Sequence, residues 1–200
     1  MRRLAALALA VLLAGCASLG PGQAQRYFVL EAAPSQLAAA AVRRDATLLV
    51  ASTTASAFYD TQEIIFSRSA GQRAYYQFSS WTEPPNRALA PLLAMRLEQS
   101  GAFRGVAETT SGVRGNLLLR TQLVEAFHDA TSVPGNARVT IAAELSDPAG
   151  RRMLARRIFT ASVPVRSHDA AGAVQGFNAA FGAILDEIVS WVGGAAAIAN

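Results

Sequence analysis

The chain has 200 residues, 52% of them apolar, with 18 basic and 14 acidic side chains. All 18 basic residues are arginine, which excludes a P-loop lysine, a Schiff-base lysine and a Ser-x-x-Lys acylase. The excess of positive charge is small and scattered, without the clustered basic footprint of a nucleic-acid partner.

Arg2 and Arg3 precede an unbroken apolar run, Leu4 to Leu13, and the small residues Ala14 and Gly15 then lead to Cys16. A basic start, a short apolar core and small residues before a cut site describe an export signal over residues 1–15. Ten helical residues at about 1.5 Å each fall well short of a bilayer core of about 30 Å, so the run is not a membrane span. Leu13-Ala14-Gly15-Cys16 resembles the bacterial lipobox, in which the thiol is lipidated and the signal is cut in front of it. Cys16 is therefore the predicted lipid-attachment residue. Each buried CH₂ adds about 0.8 kcal/mol, so the two or three chains of a lipoprotein cysteine anchor it durably where one chain is marginal. Ala17 follows the cysteine where an Asp favours retention in the inner membrane, so the resemblance points to the outer one. Cys16 is the only cysteine, so the acylated chain has no disulfide and its fold rests on its core.

Removing residues 1–15 from 200 leaves 185, enough for one well-buried domain. Arg2 and Arg3 leave too, so 18 basic residues become 16 against 14 acidic, a net of +2. Residues 16–25 are small and polar, broken by Gly-Pro-Gly, and read as a tether; the nine after the cysteine span about 15–18 Å on average.

Arg26 to Glu31 is an aromatic and β-branched run, read as a strand. Ala33 to Arg44 is Ala-rich, with loop and weak helix both open. Thr47 to Thr53 reads as a buried strand. Glu63 to Arg68 and Arg73 to Ser79 flank a Gly-containing turn and suggest a hairpin, which Trp81-Thr82-Glu83-Pro84-Pro85 ends. Leu89, Leu92, Leu93 and Leu97 then recur at helical spacing, predicting a helix over 87–100 with Gly101 as its stop and Pro91 as a defect. Asn116 to Asp129 places Leu117, Leu119, Leu123 and Phe127 on one strand face. Pro134-Gly135 and Asp147-Pro148-Ala149-Gly150 read as turns on either side of an alternating strand, Arg138 to Asp147. A further strand from Arg151 to Val163 puts Met153, Ala155, Phe159, Ala161 and Val163 on one face, interrupted by Arg157. Asp169 caps a final helix whose stripe is Val174, Phe177, Phe181, Ile184, Leu185, Ile188 and Trp191. The expected fold is one α+β domain over 26–192, a two-layer antiparallel sheet covered by two helices, with 193–200 a frayed tail.

Few residues offer chemistry. His128-Asp129 with Ser132, and Ser167-His168-Asp169, are the only histidine clusters, without the Gly-x-Ser-x-Gly elbow of a hydrolase. Two distant histidines without a cysteine pair do not make a zinc site, and no catalytic residue, metal or cofactor is expected. Arg151, Arg152, Arg156 and Arg157 read either as a solvated hairpin or as guanidinium groups facing anionic headgroups. Trp81 beside Glu83 and Pro84 reads either as a core residue under the following helix or as an interface anchor.

In that order the lipobox, Tyr27-Phe28-Val29-Leu30, Tyr76 ahead of Trp81-Thr82-Glu83-Pro84, the long strands and the closing helix resemble the ABC-type transport auxiliary lipoproteins. The resemblance runs from about Tyr27 to Trp191; Pro85 and Pro91 depart from it. It implies a non-enzymatic periplasmic subunit, held by acylated Cys16 to the outer membrane. Its partners would be a mammalian-cell-entry (MCE) domain protein with a permease and an ATPase that move lipid between the membranes. On that reading Trp81, Glu83 and Pro84 contact or shape the contact with the partner, and a repeated MCE ring is compatible with a homo-oligomer. The alternatives are a lipoprotein that assists outer-membrane or lipopolysaccharide assembly, and a lipid-anchored hydrolase.

Overall fold

The structure is a computed structural model that describes residues 23–196. The export signal, Cys16 and the first part of the tether lie outside the described residues.

Among the described residues nine strands and two α-helices follow one another along the chain. They are β1 (Arg26–Phe28), β2 (Arg44–Val50), β3 (Thr54–Ala55), β4 (Glu63–Ser67), β5 (Ala74–Trp81), α1 (Pro85–Gln99), β6 (Phe103–Glu108), β7 (Leu117–Asp129), β8 (Asn136–Asp147), β9 (Arg152–Pro164) and α2 (Ala170–Ala195). All nine strands belong to one sheet, and β7 is its spine. One edge of β7 pairs with β8 almost throughout, while the other takes β2, then β3, then β4 in turn.

The expected antiparallel sheet is corrected here to a mixed one. The meander β7–β8–β9 and the hairpin β4–β5 are antiparallel, as their turns dictate. β1 with β5, β2 with both β6 and β7, and β3 and β4 with β7 are all parallel. Parallel pairs join strands separated by long crossovers, so no local turn signal announces them.

Each helix begins for a local reason. Pro85 occupies the first helical position of α1, where its missing N–H has no partner to lose, so the helix starts two residues earlier than its leucine spacing suggested. Pro91 lies inside α1 and is exposed. The α2 cap is the one expected: the Asp169 carboxylate accepts from the Gly172 N–H at 2.8 Å. α2 runs to Ala195.

Both helices share one buried cluster with the sheet, built on Leu48, Leu93, Leu119, Ile141, Phe159, Phe177 and Phe181. A polar clip holds this side closed. Arg96, buried on α1, donates to the Gly182 carbonyl at 2.7 Å, to Asp186 at 2.5 Å and to the Ala33 carbonyl. The segment before β2 has no regular structure and is strapped across α2, Ala33 N–H to the Asn178 carbonyl and Gln36 N–H to Asp186. A Cβ at Gly182 would come within 2.8–3.0 Å of Ala33, so the strap's close approach requires glycine there.

A bulge in β7 between Leu123 and Glu125 corrects the strand's expected face. Leu123 opposes Ile141, but after one extra residue Ala126 opposes Val139 and Phe127 opposes Arg138. Phe127 is thereby turned away from the helices and His128 toward them. Phe127 is still buried, because Arg73 lies 3.6 Å over its ring and Arg138 flanks it.

Candidate functional site

The corner after β5 is the first place to test the predicted contact residues. Trp81 is only 4% exposed and meets the Phe177 ring edge-on at 5.8 Å. Pro84 is buried at the start of α1, while Thr82 and Glu83 are exposed. Trp81 is thus a core residue that fixes the loop, and of the predicted trio only Glu83 faces solvent.

The four hairpin arginines do not share one surface. Arg151 sits in the β8–β9 turn with φ of 50°, and Arg152 opens β9 opposite Asp147. Arg156 opposes Glu144 on the open side of the sheet, next to the Arg120–Glu144 pair. Arg157 opposes Ala143 on the helix side and stacks 4.9 Å over Phe159. Strand alternation separates these adjacent guanidinium groups, although the sequence presents them as one patch.

Sequence reasoning missed the node around His128. This imidazole is fully buried, with the Tyr76 hydroxyl 2.6 Å from Nδ1 and the Pro134 carbonyl 2.8 Å from Nε2. A carbonyl only accepts, so Nε2 carries the proton, and the neutral Nδ1 accepts from Tyr76. His168 donates from Nδ1 to the same carbonyl at 3.1 Å, and its ring lies edge-on to His128 at 5.6 Å. Burial is the main cause that holds the His128 pKa below its ordinary 6.5, and the neighbouring His168 adds to it. Burial also pushes the Tyr76 hydroxyl up to about 12. Asp129 is held below the usual carboxylate range chiefly by its bond from Thr131, and Asp169 by the Gly172 N–H.

These bonds tie the loop after β7 and the start of α2 to β5. They do not assemble a triad. Neither His128 nor His168 hydrogen-bonds the neighbouring serine or carboxylate; Ser167 donates to Asp169 instead. Among the described residues no three His, Cys, Asp or Glu side chains gather as a metal site. The signal available in sequence was the His128-Asp129 pair at the end of a strand, which strict alternation from Leu123 reads as solvent-facing.

A cleft of about 380 Å³ opens where the starts of β2 and β7 meet the β8–β9 turn. Its polar lining is largely engaged within the fold. Arg44 donates to the Gly193 carbonyl, Asp45 pairs with Arg104 at 2.7 Å, Asn116 accepts from the Thr47 N–H and Asp147 caps its own turn. No described helix is long and apolar enough to cross a membrane.

Residues 28–189 match the family model of the ABC-type transport auxiliary lipoprotein component, and the chain belongs to that family. Protein XCC0632 from Xanthomonas campestris shares 21% identity at a TM-score of 0.75, over 85% of this chain and 96% of that one. A second solved structure, of an uncharacterized protein, shares 11% identity at 0.67, over 85% and 99%. The hypothetical protein CT253 from Chlamydia trachomatis shares 11% identity at 0.51, over 76% and 97%. At these identities the likeness speaks for the fold alone. No curated protein matches the chain.

Proposed function

We propose that this protein is the lipid-anchored docking subunit of an ABC transport system that moves lipid between the two membranes through an MCE-domain protein. Acylated Cys16 holds the domain on the periplasmic face of the outer membrane, and the permease and ATPase are other chains. The carrying observation is the conjunction of membership in a transport auxiliary lipoprotein family with Cys16 placed after Leu13-Ala14-Gly15. The geometry supports a docking role. The buried His128 and Arg96, with the half-buried Tyr76, hold loops and helices together, and the Trp81–Pro84 corner presents Glu83 on a loop fixed by the core.

The test is capture of the full acylated chain from detergent-solubilised envelopes. The expected companions are an MCE-domain protein with its permease and ATPase. Recovery of an outer-membrane barrel in their place overturns the reading in favour of an assembly lipoprotein. Cys16→Ala is expected to leave a folded domain that no longer supports transport.

A further inference from the structure

The strand nearest the N-terminus is β1, an edge strand in which Arg26, Tyr27 and Phe28 pair with Ser79, Ser80 and Trp81. Residues 17–25, nine in all, separate the predicted anchor at Cys16 from that edge. Nine residues reach about 30 Å at full extension and about 15–18 Å as a Gly-rich coil. β7 alone has 13 residues, so it runs about 40 Å. A leash of this length keeps the β1 edge within its own reach of the bilayer and restricts the orientations of an anchored domain.

That edge is rich in uncovered aromatic surface. Tyr27 is 67% exposed, and Val29 follows it, also exposed. On the adjoining strand Tyr75 and Phe78 are exposed, and Phe58 stacks on Tyr75 at 5.6 Å. Phe28 and Tyr76 pack on the helix-side core, so strand alternation places Tyr27 and Tyr75 on the other face. Tyrosine suits a membrane interface, with its ring at the acyl boundary and its hydroxyl among headgroups. The turn bearing Arg151 is five strands away in the pairing path, about 24 Å by strand spacing.

We propose that the aromatic rim of Tyr27, Val29, Phe58 and Tyr75 rests in the headgroup layer of the membrane that holds the anchor. The domain then stands on its β1–β5 edge with the Arg151 turn directed away. This rests on acylation of Cys16.

Site-directed spin labelling tests it on the acylated full chain, in phosphatidylethanolamine–phosphatidylglycerol vesicles. Acylation leaves an introduced thiol as the only one, so nitroxides are placed singly at Tyr27→Cys, Tyr75→Cys and, as reference, Met153→Cys, all at exposed positions. The expected result is a loss of relaxation by a water-soluble nickel chelate and a gain by oxygen at 27 and 75, relative to 153. Nickel access at 27 and 75 equal to that at 153 overturns the proposal. Loss of nickel access without the oxygen gain also overturns it, in favour of cover by a second copy or a partner protein. Protein that fails to float with the vesicles removes the acylation reading itself, an outcome distinct from floating protein with aqueous labels.

Discussion

The two faces of the β7–β9 meander are held by different physics, although they belong to the same three strands. On the helix side Leu119, Ile141, Phe159 and their neighbours pack against α2, and Arg96 with Asp186 closes the seam between the helices. On the open side polar rows cross the strands, Arg120 to Glu144 beside Arg156 and Thr140 to Thr160, while Ile158 remains 63% exposed. Dense packing specifies the covered face, and each loss there leaves a void or an unpaired charge. The open face is tied by exposed pairs worth little apiece. Stability therefore resides on one side, leaving the other free to vary with whatever it meets.

The largest expected effect follows from cutting the clip. Arg96→Ala leaves Asp186 without its buried partner, and breaking such a pair costs about 3–5 kcal/mol. A fall of that size in denaturant unfolding, with faster amide exchange at Ala33 and Gln36, is the expected result; an unchanged midpoint contradicts the asymmetry.

The His128 node predicts a smaller effect that depends on pH. The folded state holds His128 neutral, with its pKa below the ordinary 6.5, so the unfolded chain binds the extra proton first. The contribution is complete above the unfolded value and is lost as pH falls through the lowered folded value. His168, Asp129 and Asp169 face the same node, and the two carboxylates, held low, titrate further down. Melting followed from about pH 7.5 to about pH 5 is expected to show a decline that His128→Gln lessens. An identical decline in that variant removes His128 as its cause. Tyr76→Phe leaves Nδ1 without its donor, at about 1 kcal/mol.

Ile158→Ser on the open face is expected to change stability by no more than about 0.5 kcal/mol. A loss of several kcal/mol would mean that this face is covered in the native protein.

Much of the covered side was legible, because its signals are local. The alternation in β8, the turn residues around it, the Asp169 cap and the stripe of α2 are each read within a short stretch of chain. Phe127 was not, since a single bulge residue reverses every later position on its strand. β6 carries Gly105 and Arg104 inside a short run with no clear alternation, and its parallel partner β2 lies far back in the chain. The strap across α2 depends on Arg96, one polar residue in an apolar stripe whose partners at Ala33 and Asp186 only the fold brings together. At the corner after β5 the sequence left Trp81 between core and interface, and the fold buries its ring against Phe177.

The central claim concerns a single thiol, and the intact mass of the protein from native membranes tests it most directly. The account predicts a chain that begins at Cys16 and carries the added mass of a diacylglyceryl group, with or without a further acyl chain. A mass showing an unmodified Cys16 still preceded by residues 1–15 would contradict it.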